Sequence, residues 1–231
     1  MKILGIVGGI APGSTIEYYR QIIDLYRERN PDGSYPPIII NSIDLQKMLD
    51  LISSDRIMEV TEYLTDEVGR LARAGADFGL LASNTPHIVF DEIQRRSAIP
   101  LISIVEAASA AVQALGLERV GLFGTRFTMQ GRFFPDMFSQ RGIGLSIPEI
   151  DDQDYVHDKY MNELIKGIFR DETRDHLLGI VDRMIGQDDI QGLILGGTEL
   201  PLILKEDQYR GIPFLDTTRI HVERAVTGML S

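Results

Sequence analysis

Short apolar runs alternate along the chain with longer segments in which apolar residues recur at helical spacing. The apolar runs predict eight strands, near residues 3–9, 37–43, 78–82, 99–104, 119–123, 145–150, 193–196 and 212–216. The periodic segments predict helices over about 16–29, 55–74, 86–96, 106–115, 129–140, 157–169, 172–185, 201–205 and 221–230, with a loop and a short helix between 45 and 54. Strands separated by helices predict parallel sheets joined by right-handed crossovers, the arrangement of an α/β protein.

The pattern begins again about halfway along the chain. Gly5 and Gly8 correspond to Gly121 and Gly124 at an offset of 116 residues. Further matches relate 83–85 to 197–199 at an offset of 114, and 99–101 to 212–214 at an offset of 113. An offset that drifts by only three residues indicates an internal duplication.

We therefore predict two pseudo-symmetric lobes, each a four-stranded parallel sheet flanked by helices. Residues 1–104 and about 206–231 are assigned to the first lobe, and 105–205 to the second. As an alternative, the strand at 212–216 completes the second lobe's sheet. Because ligands of parallel sheets bind outside the carboxyl ends of the strands, we expect the functional site in the cleft between the lobes.

Two of the predicted strands end in short polar segments that are each followed by a proline. The run 78–82 leads to Ser83-Asn84-Thr85 and Pro86, and the run 193–196 leads to Gly197-Thr198-Glu199 and then Pro201. Proline suits the first turn of a helix, so each segment lies at a strand end beside a helix start. Ser, Asn and Thr are also ordinary helix caps, which is the alternative reading of 83–85. His87 is either an acid/base group or a buried polar residue with satisfied hydrogen bonds.

Three other segments carry candidate chemistry. The loop 7–15 lacks the Gly-Lys-Ser/Thr ending of a P-loop, so we interpret it as a tight turn in which backbone N–H groups near Gly9 face a carboxylate. The residues between Asp151 and Asp158 include oxygen and nitrogen ligand types, but a solvated acidic loop is favoured and no metal site is predicted. Lys166 either neutralises a ligand carboxylate or interacts with a helix dipole.

Composition narrows the functional classes. The 231 residues are 44% apolar and 25% charged, as in an ordinary globular protein, and the net charge of −11 argues against nucleic-acid and membrane partners. The N-terminus shows no leader pattern and no apolar run reaches membrane-spanning length, so a cytoplasmic location is expected. The chain contains no cysteine, which excludes disulfides, thiolate metal ligands and thiol nucleophiles.

Together these motifs resemble the aspartate/glutamate racemase family of cofactor-independent amino-acid racemases. The resemblance rests on Gly8-Gly9, on Ser83-Asn84-Thr85 where the family has Cys-Asn-Thr, on Gly124-Thr125, on Gly197-Thr198-Glu199 where it has Cys-Thr-Glu, and on Asp216-Thr217-Thr218. It implies that two cysteines transfer protons on opposite faces of the substrate α-carbon. Ser83 and Gly197 occupy both cysteine positions here, so the two-thiol mechanism is excluded.

The resemblance implies an enzyme that transfers protons at the α-carbon of a small acidic amino acid or dicarboxylate, without a cofactor and as a homodimer. Ser83, assisted by His87 or Glu199, is expected to replace one thiol, and water beside Gly197 the other. The expected substrate-binding residues are Gly9, Asn84, Thr85, Thr125, Lys166 and Thr198. Two alternatives are a decarboxylase or lyase on the same fold, and a catalytically silent carboxylate-binding protein.

Overall fold

The computed structural model describes all 231 residues. The strands are β1 (Leu4–Gly8), β2 (Ile38–Ser42), β3 (Phe78–Leu81), β4 (Leu101–Ile102), β5 (Arg119–Gly124), β6 (Gly144–Ser146), β7 (Leu193–Gly196), β8 (Gln208–Tyr209) and β9 (Ile212–Asp216). The helices are α1 (Pro12–Arg29), α2 (Leu45–Ser53), α3 (Ile57–Arg73), α4 (Phe90–Arg96), α5 (Ile104–Ala114), α6 (Arg126–Gln130), α7 (Phe133–Gln140), α8 (Ile150–Asn162), α9 (Asp171–Asp188), α10 (Leu200–Ile203) and α11 (Thr217–Leu230). Short 3₁₀ turns lie at Thr85–Val89 and Leu164–Lys166.

The chain divides into two compact units, which confirms the predicted α/β duplication. The first unit contains residues 1–104 and 221–231, and the second contains residues 105–220. The predicted placement of the site in a cleft between the lobes stays a prediction.

The sheet of the first unit has the strand order β2-β1-β3-β4, and all its pairs are parallel. β1 pairs with β2 and β3, and β3 also pairs with β4, so β1 and β3 are the central strands. Both carry apolar residues on both faces, as expected for parallel strands that helices cover on each side. Their carboxyl ends carry Gly9 and Ser83, respectively.

The C-terminal helix α11 completes the core of the first unit. Val222, Val226 and Met229 are buried with Ile6 and Leu80 of the sheet. Each such side chain contributes about 1.5–3 kcal/mol when it is fully buried. This packing explains why the end of the chain belongs to the first unit.

The sheet of the second unit has the order β6-β5-β7-β9-β8. Four of its strands are parallel, as predicted, but β8 adds a two-residue antiparallel strand that the sequence analysis missed. Because β9 pairs with β7 along Leu193–Leu195, the strand at 212–216 belongs to the second unit. The assignment of residues from about 206 onwards to the first lobe was therefore wrong up to Ile220, and the alternative assignment of this strand is correct.

Several predicted element boundaries also change. The acidic stretch 151–158 is not a solvated loop, because α8 begins at Ile150 and includes it. Asp151 and Asp152 lie in the first turn of this helix, where acidic side chains interact favourably with the helix dipole.

No group of His, Asp and Glu residues in the structure has the arrangement of a metal site. No helix is long and apolar enough to cross a membrane.

Candidate active site

The polar segment of the first unit begins directly after β3. Ser83 is half-buried, whereas Asn84 and Thr85 are buried. The 3₁₀ turn starts at Thr85, with Pro86 in its first turn, and the His87 N–H donates to the Asn84 carbonyl at 3.0 Å. The predicted geometry of a strand end beside a proline-started helical turn is present.

The turn after β1 is closed by hydrogen bonds from the start of α1. The Gly9 N–H donates to Thr15 Oγ1 at 2.8 Å, and Ser14 Oγ donates to the Ala82 carbonyl at 3.0 Å. Gly9 has a φ of +83°, in the left-handed region that favours glycine. The Gly9 N–H is thus engaged within the protein, and an anion at this position would have to displace the Thr15 hydroxyl.

Both ring nitrogens of His87 bind the backbone. Nε2 accepts the Ile104 N–H at 3.2 Å, so Nδ1 carries the proton and donates to the Ser83 carbonyl at 3.1 Å. The ring also stacks on Phe90, with 4.8 Å between centroids. Burial, with the neighbouring His221 adding to it, lowers the pKa of His87 to about 3. These contacts make His87 a neutral residue that positions the Ser83 backbone, rather than the acid/base group predicted as one of two alternatives.

A second buried histidine, His221 of α11, extends this network. Its Nδ1 accepts the Tyr18 hydroxyl at 2.9 Å, and its Nε2–H donates to the Ile102 carbonyl at 2.9 Å. The His221 and His87 rings lie 6.4 Å apart, and burial lowers the pKa of His221 to about 4. Sequence reasoning missed His221 because its distance along the chain from residue 83 hides their proximity.

We expect the two histidines to make the protein less stable in mild acid. In the unfolded chain His221 takes up a proton near the ordinary histidine pKa of 6.5, whereas in the folded protein it stays neutral down to about pH 4. The contribution of His221 to the free energy of unfolding is therefore present above pH 6.5 and is lost as the pH falls toward 4. Urea unfolding of the wild type and His221→Gln at pH 7 and pH 5 measures the difference. The difference in the free energy of unfolding between the wild type and His221→Gln should be about 2 kcal/mol smaller at pH 5 than at pH 7. An unchanged difference would show that His221 titrates normally.

The polar segment of the second unit follows β7. Gly197, Thr198 and Glu199 are all buried. Glu199 Oε2 accepts the Thr198 hydroxyl at 2.7 Å and also the hydroxyl of Tyr160, which comes from α8. Burial, followed by the neighbouring Glu199 carboxylate, raises the pKa of the Tyr160 phenol well above its ordinary value. The phenol is therefore protonated at neutral pH.

Tyr160 also explains why residue 197 is a glycine. A Cβ atom at this position would lie 2.8 Å from Tyr160 Oη and 2.9 Å from Cζ, with the ring edge closer still. Gly197 does not have a positive φ, so the restriction is one of space rather than of backbone conformation. Tyr160 fills the place that a side chain at 197 would occupy. This contact is not readable from the sequence, where Tyr160 occupies only an apolar position of a helix.

The structure brings Thr125 to the same sheet edge but leaves Lys166 apart. Gly124 lies opposite Gly196 in the register of β5 and β7, so Thr125 and Gly197 both follow neighbouring strand ends. Thr125 caps α6 by accepting the Thr128 N–H at 3.3 Å. Lys166 is exposed at the end of a 3₁₀ turn and forms no hydrogen bond or ion pair with this edge.

The fold and these edges define a class of duplicated α/β proteins in which the central strands of both sheets deliver short polar segments. The Asp/Glu/Hydantoin racemase family matches residues 7–225, and the chain belongs to this family. The broad specificity amino-acid racemase RacX of Bacillus subtilis is 26% identical, over 99% of this chain and 98% of that protein.

Solved structures agree with this assignment. A Yersinia pestis protein proposed to be an Asp/Glu racemase has a TM-score of 0.93 and 31% identity, with both chains fully covered. An aspartate racemase homologue from Pyrococcus horikoshii OT3 has a TM-score of 0.86 and 29% identity, again with full coverage of both chains. The predicted resemblance to amino-acid racemases is confirmed.

Proposed function

We propose that this protein transfers protons at the α-carbon of a small acidic amino acid without using thiols. The observation that carries the proposal is the pair of matched segments, Ser83-Asn84-Thr85 and Gly197-Thr198-Glu199, at the carboxyl ends of β3 and β7 in a racemase-family chain. The name of the Bacillus subtilis relative, a broad specificity amino-acid racemase, supports an amino-acid substrate.

The polar groups at these strand ends suit a carboxylate ligand. Asn84, Thr85 and Thr125 supply amide and hydroxyl donors, and a hydrogen bond to a charged group contributes about 1.5–3 kcal/mol. The single hydroxyl proton of Thr198 is donated to Glu199, so in this proposal Thr198 holds Glu199 in place. Binding through local donors also fits a chain with a net charge of −11, because no broad positive field attracts the substrate. In this proposal Gly9 shapes the adjoining turn, and Lys166 contributes only if it moves toward the ligand.

Ser83 is the proposed reactive group of the first unit. Its hydroxyl forms no hydrogen bond within the protein, and the side chain is only half-buried, so it is available to a ligand. The Nδ1–H of His87 donates to the Ser83 carbonyl oxygen at 3.1 Å, and this hydrogen bond holds the Ser83 backbone in place. A serine hydroxyl is a much weaker acid than a thiol, so the proposal requires slower chemistry than two cysteines would give.

The decarboxylase or lyase alternative and the silent carboxylate-binding alternative gain no support, since the relatives are named as racemases. The homodimer and the cytoplasmic location stay predictions from the sequence.

The test of the proposal is deuterium incorporation at Cα when a panel of D- and L-amino acids is incubated with the protein in heavy water. Acidic amino acids should exchange fastest, and an absence of exchange in the whole panel would refute the proposal.

A further inference from the structure

We propose that Tyr160 and Glu199 form a proton relay that takes the place of the absent side chain at position 197. This inference rests on the proposed function, because it assigns the acid/base group of the second unit in that reaction. The water expected beside Gly197 is not needed in this account, since the Tyr160 ring fills the space.

The position of the Tyr160 hydroxyl is the first argument. Oη lies 2.8 Å from where the Cβ atom of a side chain at 197 would be. A phenolic oxygen therefore stands close to where the family resemblance places a thiol. Tyr160 is held there from α8, whose buried residues pack into the core of the second unit.

The hydrogen bonds of Glu199 are the second argument. Two hydroxyl groups, from Tyr160 and Thr198, donate to the same oxygen of Glu199, so Oε2 lies where it can take the phenolic proton. Glu199 is buried and forms no ion pair with a Lys, Arg or His side chain. A buried carboxylate without a cation is costly, and such residues concentrate at functional sites.

The proposed step balances as a double proton transfer. The Cα–H bond breaks, its proton bonds to Tyr160 Oη, and the phenolic proton passes to Glu199 Oε2. The electron pair of the Cα–H bond stays on the substrate as a carbanion, and proton return follows the same path in reverse. Tyr160 never becomes a phenolate, which agrees with the raised pKa of its hydroxyl. Deuterium enters Cα when the proton on Tyr160 Oη exchanges with solvent before it returns to the carbanion.

Two variants test the relay, each with a matched control. Tyr160→Phe removes the hydroxyl and keeps the ring, and Tyr26→Phe removes another buried hydroxyl, which accepts from Asn30 at 3.0 Å in the first unit. Glu199→Gln removes the proton acceptor. Glu163→Gln is its control, because Glu163 is a buried carboxylate that accepts the Thr173 hydroxyl at 2.6 Å.

The measurement is the KM and kcat of Cα deuterium exchange for the fastest acidic amino acid. We expect kcat to fall at least about 100-fold in Tyr160→Phe and Glu199→Gln, with KM within about threefold of wild type, because general acid–base groups contribute about 10²–10⁴-fold. Both controls should retain kcat. If Tyr160→Phe does not fold, Glu199→Gln decides the result alone.

The other outcomes separate the two proposals. A wild type that exchanges, with variants that retain kcat, overturns the relay and leaves the proposed function standing. A raised KM with unchanged kcat in Glu199→Gln also overturns the relay, because it identifies Glu199 as a partner for the substrate ammonium group. A wild type that exchanges no amino acid refutes the proposed function and the relay with it.

Discussion

A variant with cysteine at positions 83 and 197, and with leucine at position 160 to make room, should exchange the Cα proton at least about 100-fold faster than Tyr160→Leu alone. The variant is Ser83→Cys with Gly197→Cys and Tyr160→Leu. Leucine lacks the Cζ and Oη atoms that approach the Cβ position of residue 197. Thiols, with an ordinary pKa of about 8.5, exchange protons near neutral pH far more readily than a serine hydroxyl.

The controls for this variant separate chemistry from packing. Tyr160→Leu alone has the same space but no thiols, so it is the background for comparison. Ser83→Cys combined with Tyr160→Leu should gain little over Tyr160→Leu, because this variant has neither the Tyr160 hydroxyl nor a second thiol and the effects of groups that act as a unit are strongly non-additive. Gly197→Cys in the presence of Tyr160 should lower the free energy of unfolding by about 1–3 kcal/mol, as expected for overpacking. A folded triple variant with no gain over Tyr160→Leu would contradict the assignment of positions 83 and 197.

Gly9→Ala should lower the free energy of unfolding by at least about 3 kcal/mol. The φ of Gly9 is +83°, which costs a residue with a Cβ about 1–2 kcal/mol. In addition, that Cβ would lie 2.6 Å from the Ile43 backbone nitrogen and closer still to the Ile43 carbonyl oxygen. Backbone atoms cannot rotate away as a side chain can, so the turn itself must move.

Gly33→Ala is the matched control for this effect. Gly33 has nearly the same φ, +85°, but nothing lies within 4 Å of its Cβ position. Urea unfolding should therefore show a loss of about 1–2 kcal/mol for Gly33→Ala. Equal losses in the two variants would show that the contact with Ile43 does not restrict residue 9.

The sequence was sufficient to predict the fold and the strand ends that carry the polar segments. Apolar runs ending at Ala82 and Gly196 mark buried parallel strands, and the following prolines mark helix starts. The internal offset predicted two similar sheets, and both are present. These features depend on local periodicity and local backbone chemistry, which a single sequence records directly.

The contacts around the polar segments depend on partners distant in the chain, and these were not predictable. His221 reaches Ile102 only after α11 packs on the first sheet, and Tyr160 reaches Glu199 only after α8 packs on the second. The assignment of 212–216 was ambiguous for a similar reason, since a buried strand fits either sheet until its pairing with β7 is known. The acidic first turn of α8 has the composition of an exposed loop, so the sequence does not show where this helix begins.

The most direct test of thiol-free proton transfer is the exchange of L- and D-aspartate and of L- and D-glutamate in heavy water by protein treated with iodoacetamide. The chain has no cysteine, so alkylation of thiols leaves it intact while it inactivates a thiol-dependent contaminant. Mass spectrometry with chiral separation follows deuterium at Cα in each enantiomer. Our account predicts that both enantiomers of aspartate or of glutamate gain deuterium at a rate that alkylation does not change. Exchange that disappears after alkylation, or no exchange of either amino acid, would contradict it.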